Sequence, residues 1–319
     1  MRILITGVTG QVGAALLARL PSLGTIVPAD RTTLDLAKLD AITDTLDRLA
    51  PDLIINPAGY TAVDKAEDET ELAARVNSNA PGIVASWAAT HAVPFIHFST
   101  DYVYDGHGER AWREDDQVCP LSNYGNSKLA GENAIRASGG ACLIVRTSWV
   151  YAAQGKNFLS TVVRLARERK ELRIVADQIG APTSAALIAD AIFGMVAEGR
   201  DCLRDRCVQA NGLVHLAAKG ETSWHGFACA IVAGLKHRGM RFAVRDIVPI
   251  GTDEYPTRAK RPRNSRLEMT RLKTVFGIDP PHWQTALEPE LDRLTQTQNG
   301  DGDAISGGLI THLEAEKES

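Results

Sequence analysis

An α/β fold built on a doubly wound parallel sheet, of the Rossmann type, is predicted by three observations on this 319-residue sequence. Short apolar runs alternate with longer amphipathic segments through the first half of the chain. A glycine-rich turn directly follows the first apolar run, as at the first strand-to-helix junction of such sheets. Hydrophobic residues make up 44% of the chain, which is enough for a large buried core.

Five apolar runs have the length and composition of buried parallel strands. They are RILIT (2–6), TIVPAD (25–30), DLIINPA (52–58), PFIHFST (94–100) and CLIVRTS (142–148). Between them, segments 11–20, 38–49, 71–90 and 124–137 repeat their apolar residues with helical periodicity. This alternation predicts a parallel sheet with helices on both faces.

The regular alternation ends after about residue 150, where helical and strand-like segments follow in less regular order. We predict a Rossmann domain over 1–150, a smaller C-terminal substrate-binding lobe over 151–295 and a disordered, polar tail over 296–319. The boundary near 150 is approximate, because the chain can cross between the lobes more than once.

Composition excludes several classes of protein. The net charge of −4 gives no overall attraction to nucleic acid. No apolar run reaches the ~20 residues that a membrane span needs. The five cysteines are odd in number and widely spaced, without a C-x-x-C pair, which favours reduced thiols over disulfides or a zinc site. We therefore expect a cytoplasmic protein that binds neither nucleic acid nor membrane.

The turn ILITGVTGQVG places Gly7, Gly10 and Gly13 between the first strand and the first helix. Glycines let the backbone approach a pyrophosphate, and the helix N-terminus supplies N–H donors. The second strand ends at Asp30, whose carboxylate can bind ribose hydroxyls and disfavours a 2′-phosphate. Since Arg31 can offset that repulsion, the cofactor is predicted to be NADPH or NADH. The alternatives are a turn without a ligand and a plain turn cap at Asp30.

The fourth strand ends in Ser99 and Thr100, at the edge where doubly wound sheets bind their ligands, so we expect their hydroxyls to lie where they can hydrogen-bond a substrate carbonyl. The fifth helix opens with Tyr124 and Lys128, four residues apart and therefore on one face. An ammonium group and a nicotinamide cation lower the pKa of a phenol, so that tyrosine can protonate a carbonyl oxygen as hydride reaches its carbon. Alone, such a pair is usually a solvated helix face. Combined with the glycine turn and the hydroxyls, it indicates carbonyl reduction.

Several blocks of the sequence resemble a known family. TGVTGQVG, STDYVYDG and YGNSK resemble the extended short-chain dehydrogenase/reductase superfamily. Within it, GYTAVDKAEDE (59–69), STDYVYDG (99–106), RTSWVY (146–151), DQIGAPTS (177–184) and RPRNSRL (261–267) are similar to the dTDP-4-dehydrorhamnose reductases, over residues 1–290. The resemblance implies NAD(P)H-dependent reduction of the 4-keto group of dTDP-6-deoxy-L-lyxo-4-hexulose to dTDP-L-rhamnose.

The resemblance also implies roles for individual residues. The catalytic set is Thr100, Tyr124 and Lys128. The cofactor-binding set is Gly7, Gly10, Gln11, Val12, Gly13, Asp30, Asp35, Leu36, Ala58, Gly59, Tyr60, Tyr124 and Lys128. The residues facing the sugar nucleotide are Thr61, Thr100, Asp101 and Trp149. Gly59 is a mild departure, because the family often has alanine there.

A basic segment lies at YPTRAKRPRNSRL (255–267) in this weakly acidic chain. Its cations are Arg258, Lys260, Arg261, Arg263 and Arg266. Arginine forks suit phosphate oxygens, so we predict that one or two of these cations contact the substrate diphosphate, with Arg261 as the candidate. The alternative is a solvated charge run.

Tyr102 separates two reactions within the superfamily. Sugar-nucleotide 4,6-dehydratases resemble STDEVYG at this strand end, where Asp and Glu serve as acid and base. Here Asp101 is followed by Tyr102, so no base is evident for water elimination, and reduction is favoured. The alternative roles are turn formation for Asp101 and packing for Trp149.

Some members of the resembled family dimerise through a metal held by glutamates. The corresponding positions here are Ala15 and Ala186, which offer no oxygen ligand. We therefore predict no metal, and a monomer or weak homodimer. Two other functions stay open: another sugar-nucleotide epimerase or reductase, and a non-catalytic subunit similar to the regulatory subunit of methionine adenosyltransferase, which resembles this family.

Overall fold

The structure, a computed structural model, describes residues 1–305 and, of these, all side chains but those of residue 200 and of 297–305. The strands are β1 (Arg2–Thr6), β2 (Thr25–Ala29), β3 (Leu53–Asn56), β4 (Phe95–Thr100), β5 (Cys142–Thr147), β6 (Val150–Tyr151), β7 (Glu171–Val175), β8 (Ile179–Gly180), β9 (Thr183–Ser184), β10 (Leu213–His215), β11 (Thr222–Ser223) and β12 (Asp246–Ile250). The α-helices are α1 (Gln11–Arg19), α2 (Ile42–Leu49), α3 (Thr70–Ala74), α4 (Ala80–Thr90), α5 (Asn123–Ala137), α6 (Phe158–Glu168), α7 (Ala185–Val196), α8 (Arg200–Gln209), α9 (Trp224–His237), α10 (Thr270–Phe276) and α11 (Trp283–Ile305).

A parallel six-stranded sheet forms the centre of the fold, in the order β10-β5-β4-β3-β1-β2. The five predicted strands and the doubly wound α/β class are confirmed. The strand order reverses between β1 and β3, which places a ligand crevice at the carboxyl ends of the central strands.

The two faces of the sheet have separate cores, because successive strand residues point to opposite sides. Ile3 and Ile5 of β1 belong to the core that includes residues of α1 and α7, whereas Leu4 belongs to the core that includes residues of α2 and α4. Strands β1, β3, β4 and β5 are buried on both faces, which explains their continuous apolar runs, whereas the edge strand β2 is only partly buried.

The second half of the chain returns to the sheet. Helix α7 packs against α1, and β10 extends the sheet beside β5. Between and after these elements, β7 pairs with β12 in a small parallel sheet, and α9 packs on it. These crossings agree with the expectation that the boundary near 150 is approximate, and the division into two lobes stays a prediction.

The last helix enters the segment expected to be disordered. Helix α11 ends at Ile305, and the rest of that segment, 306–319, lies outside the described residues. In the described part of the chain, no helix combines the length and apolar character needed to cross a membrane. All five cysteines are free thiols.

Candidate active site

The glycine turn connects β1 to α1 in a conformation that needs glycine at two positions. Gly7 has a φ of 57°, in the left-handed region, and a side chain at Gly13 would place its Cβ 2.2 Å from the Gly7 carbonyl oxygen. At Gly10 a Cβ would meet only that same carbonyl, at 3.3 Å. The backbone is therefore closely packed at Gly7 and Gly13 and more open at Gly10.

The N-terminus of α1 carries backbone donors that no side chain caps. Helices α5, α6, α7 and α9 are each capped by a serine or asparagine, whereas Gly10 at the start of α1, like the residues that precede α2 and α10, makes no side-chain cap bond. Uncapped N–H groups at the positive end of a helix suit a phosphate. This arrangement fits the pyrophosphate of a dinucleotide, which Gln11, Val12 and Gly13 would border.

Asp30 lies at the end of β2 and caps its own turn. Its Oδ1 accepts hydrogen bonds from the backbone N–H groups of Thr32 and Thr33 and from both hydroxyls. These bonds lower the pKa of Asp30, so the carboxylate stays charged. Asp30 therefore caps the turn, as the alternative interpretation predicted. The contact with the cofactor ribose stays a prediction, and it would use Oδ2.

The remaining predicted cofactor residues lie along the same edge of the sheet. Ala58, Gly59 and Tyr60 follow β3, and a Cβ at Gly59 would lie 4.0 Å from Lys128 Nζ. The Tyr60 hydroxyl donates to Glu69. Of the predicted adenine pair, Asp35 is half-buried, whereas Leu36 is buried in the core with α2 and α4.

Tyr124 and Thr100 meet where β4 ends and α5 begins. A hydrogen bond with Thr100 favours the ionised phenol, but burial dominates and raises the pKa of Tyr124 to about 12. Tyr102 packs edge-on against the Tyr124 ring, with centroids 5.5 Å apart. Tyr124 is thus a phenol that keeps its proton at neutral pH, with Thr100 and Tyr102 against it from two sides.

Lys128 lies one turn further along α5 and is almost completely buried. Its Nζ donates to the Phe98 carbonyl at 2.6 Å and lies 3.1 Å from His97 Nε2. Burial lowers the pKa of Lys128 to about 8, partly offset by Glu132. In the described structure Tyr124 and Lys128 share one helix face, as predicted, but no direct bond joins them.

Ser99 is not available to a substrate, contrary to the expectation for both hydroxyls of this strand end. Its Oγ donates to Glu132 Oε1 at 2.5 Å, inside the contact between β4 and α5. The reason is the alternation of side chains along a strand, which sends Ser99 and Thr100 to opposite faces.

Two groups of buried polar residues next to the site are missing from the sequence-based prediction. One group comprises Thr6, Asn56 and His97, which connect to Lys128. The other is the buried ion pair of Glu132 with Arg146. Their signal in the sequence is a polar residue inside an apolar strand, as in LIIN and FIHFST, and such residues are costly to bury without partners.

Trp149 has a φ of 49°, which is a strained backbone conformation for a large side chain. Its ring stacks on Trp224, with centroids 3.6 Å apart, and lies against Gly180, where a Cβ would come within 2.7 Å of it. Only a glycine at 180 allows this contact. The indole is therefore fixed and half-buried at the end of β5.

The predicted substrate residues differ in their surroundings. Thr61 is exposed after β3, whereas Asp101 is buried, which raises the pKa of its carboxyl to about 6. Arg261 is bound to Asp64 through both of its terminal nitrogens. In the basic segment, Lys260 is the one cation of the five for which the described structure shows no carboxylate partner.

Metal-ligating clusters of three or more His, Cys, Asp or Glu side chains are absent from the described residues. The two alanines at 15 and 186 lie on the adjoining helices α1 and α7. The prediction that no metal bridges two copies of the chain stays a prediction.

Comparison with known proteins gives matches along nearly the whole chain. Residues 1–296 match the family model described as RmlD substrate binding domain. The dTDP-4-dehydrorhamnose reductase of Burkholderia thailandensis is 46% identical over 293 residues, covering 90% of this chain and 97% of that protein. The crystal structure of a dTDP-4-dehydrorhamnose reductase from Clostridium acetobutylicum superposes with a TM-score of 0.84 at 34% identity, covering 92% and 100% of the two chains. A Bacillus anthracis dTDP-4-dehydrorhamnose reductase, solved in complex with NADP, has a TM-score of 0.80 at 32% identity, covering 93% and 99%.

Proposed function

Because the chain belongs to the RmlD family, we propose that it reduces the 4-keto group of dTDP-6-deoxy-L-lyxo-4-hexulose to dTDP-L-rhamnose, using NADPH or NADH. The relatives that carry the name dTDP-4-dehydrorhamnose reductase support the reaction. Reduction rather than water elimination is also supported by Tyr102, because a tyrosine at that position cannot serve as a carboxylate base.

The observation that carries this proposal is the hydrogen bond of Tyr124 with Thr100 at the carboxyl end of β4, with Lys128 one turn further along the same helix. The Tyr124 hydroxyl gives its proton to the carbonyl oxygen, and the Thr100 hydroxyl orients that oxygen by a hydrogen bond. When bound, the nicotinamide supplies the hydride. The Lys128 ammonium stabilises the phenolate that Tyr124 becomes, which matters because burial raises the pKa of Tyr124 to about 12.

The walls of the cleft hold the substrate in this scheme. The fixed Trp149 indole offers a flat apolar surface for a sugar ring or a base. Arg261 contacts the diphosphate, and Thr61 and Asp101 face the sugar nucleotide. Asp101 is protonated in a substantial fraction of molecules near pH 6, since that is its pKa, and it can then donate as well as accept.

The test is oxidation of NADH and of NADPH by the purified chain with the dTDP-linked 4-keto sugar, with the product identified by NMR. Stoichiometric loss of the cofactor with formation of dTDP-L-rhamnose is the expected result. An isomeric keto sugar formed without net cofactor oxidation would identify an epimerase. Cofactor binding without turnover of any keto sugar would favour a binding subunit.

A further inference from the structure

Thr6, Asn56, His97 and Lys128 form one continuous chain of hydrogen bonds beneath the candidate active site. All four are at most 5% exposed. Thr6 Oγ1 lies 2.5 Å from Asn56 Oδ1, Asn56 Nδ2 lies 3.0 Å from His97 Nδ1, and His97 Nε2 lies 3.1 Å from Lys128 Nζ. Three strands, β1, β3 and β4, therefore each contribute one polar side chain toward the lysine.

In this structure the hydrogen bonds run in one direction, from the Ala58 amide through Thr6 and Asn56 to His97. The Ala58 N–H can only donate, and it donates to Thr6 Oγ1 at 3.3 Å. The Thr6 hydroxyl in turn donates to Asn56 Oδ1, which leaves the Asn56 amide nitrogen facing His97 Nδ1. His97 Nδ1 is then an acceptor, so a neutral imidazole carries its proton on Nε2.

This direction leaves only one role for Lys128 Nζ. It donates to the Phe98 carbonyl at 2.6 Å and must accept from His97 Nε2–H. An ammonium group has no lone pair, so the arrangement requires the neutral amine. Burial acts in the same sense, because it lowers the pKa of Lys128 to about 8 and that of His97 well below its usual value.

Other titratable groups lie on the elements packed around Lys128. They are Glu132 and Tyr124 on α5, Asp101 after β4, Arg146 on β5 and Tyr60 after β3. Glu132 raises the pKa of Lys128, but less than burial lowers it, and its carboxylate is bound by Arg146. In the described structure, none of these five side chains lies within hydrogen-bond distance of Lys128 Nζ, whereas His97 does.

We propose that His97 is a positioning residue whose tautomer is coupled to the charge of Lys128. In one state His97 Nε2–H donates to the neutral amine. In the other, the Nε2 proton has passed to Nζ, one proton from solvent is bound at Nδ1, and Asn56 has turned its Oδ1 toward that N–H. The pair gains one proton, and Nε2 now accepts from the ammonium.

The two states differ in the hydrogen bonding of Thr6, which lies at the opposite end of this series of hydrogen bonds from Lys128. When the Asn56 amide turns, its nitrogen faces Thr6 Oγ1, which loses Asn56 as the acceptor for its own proton. That loss favours the neutral amine and keeps Lys128 close to its midpoint at working pH. The coupling itself does not depend on the proposed function. Only its consequence rests on that function, namely that a charged lysine stabilises the Tyr124 phenolate in one of the two states.

NMR of the full-length chain tests the coupling without cofactor, substrate or turnover. The chain is labelled with 15N at histidine and lysine and titrated between about pH 6 and pH 10, and His97→Gln and Lys128→Met identify the two signals. His97 is expected to carry its proton on Nε2 at high pH and on Nδ1 at low pH. The change of tautomer should have the same midpoint as the titration of Lys128, whose pKa is about 8. A single His97 tautomer across the Lys128 titration would overturn the proposal, as would a doubly protonated His97.

The His97→Gln variant gives a second measurement. A glutamine can turn its amide oxygen toward the ammonium without any tautomer change, so the Lys128 midpoint should rise by about one pH unit. The alkaline limb of kcat/KM, which reports groups of the free enzyme, should move with it. His91→Gln, at an exposed histidine on the surface, is the control and should move neither. A folded His97→Gln protein with an unchanged Lys128 midpoint contradicts the proposal, even if the chain proves to act on another substrate.

Discussion

Arg261 donates hydrogen bonds to Asp64 from both terminal nitrogens, with Nη1 3.1 Å from Oδ1 and Nη2 2.8 Å from Oδ2. Asp64 follows β3, whereas Arg261 precedes α10, so the pair joins the first half of the chain to the second. Arg258 and Asp68 form a second ion pair between the same two segments. A guanidinium group binds a carboxylate or a phosphate through the same pair of N–H donors. Asp64 therefore occupies the Arg261 donors that we assign to the substrate diphosphate.

If the substrate diphosphate replaces Asp64 on Arg261, substitutions of Arg261 and of Asp64 should change KM in different ways. Arg261→Gln should raise KM for the dTDP sugar by about tenfold or more, the loss of a charge-assisted hydrogen bond, with little change in kcat. Asp64→Asn should leave KM unchanged or lower it, because it frees the guanidinium. Steady-state kinetics measure both. Equal increases in KM would mean that the pair is only a structural link, and the assignment of Arg261 would be wrong.

Removal of the Tyr124 hydroxyl tests its role as proton donor. Tyr124→Phe should reduce kcat by roughly 10²–10⁴-fold, as expected for the loss of a general acid, while the circular dichroism spectrum stays unchanged. Tyr102→Phe is the matched control, because it removes a neighbouring hydroxyl while keeping the edge-on ring contact. It should retain most of the activity. Comparable losses in both variants would point to packing rather than proton transfer.

The buried ion pair of Glu132 and Arg146 predicts a large loss of stability when one partner is neutralised. Arg146 binds Glu132 through Nε and Nη2, at 2.9 and 2.5 Å, with both side chains at most 3% exposed. Glu132→Gln leaves a buried charge unpaired and should cost roughly 3–5 kcal/mol of unfolding free energy. In urea denaturation, Glu168→Gln, which breaks an exposed pair with Arg164, should cost less than about 1 kcal/mol. Similar costs for the two variants would exclude this account.

His215 predicts a loss of stability in acid. It is fully buried between Tyr104 and the Glu268 carbonyl, and burial lowers its pKa to about 3. Below about pH 6.5 the unfolded chain binds a proton that the folded chain does not, so stability falls as pH falls from 6.5 toward 3, by up to ~1.4 kcal/mol per unit.

The His215→Gln variant, which cannot titrate, should show a shallower decline in unfolding free energy between about pH 7 and pH 4. His91→Gln, at an exposed histidine, should keep the steeper wild-type decline. The measurement is urea denaturation at each pH. Parallel curves for wild type and His215→Gln would show that His215 does not govern acid stability.

Much of the fold and part of the site could be predicted because they depend on local pattern. The five apolar runs, the glycine turn and the spacing of Tyr124 and Lys128 are properties of short segments, and the strand ends of a parallel sheet meet at one edge. Ser99 shows where this reasoning fails. Two adjacent hydroxyls look equivalent in a sequence, but the alternation along β4 gives one to Glu132 and the other to Tyr124.

Local patterns in the sequence predicted five of the six strands of the central sheet, the glycine turn, the family and the residue types at the reaction centre. Each of these depends on neighbours along the chain, whereas the groups that those residues touch depend on the tertiary structure. It joined Thr6, Asn56 and His97 to Lys128, and Asp64 to Arg261, across separations of 31 to 197 residues. Such contacts depend on strand order and on the direction of each hydrogen bond, and neither has a signature in a local pattern.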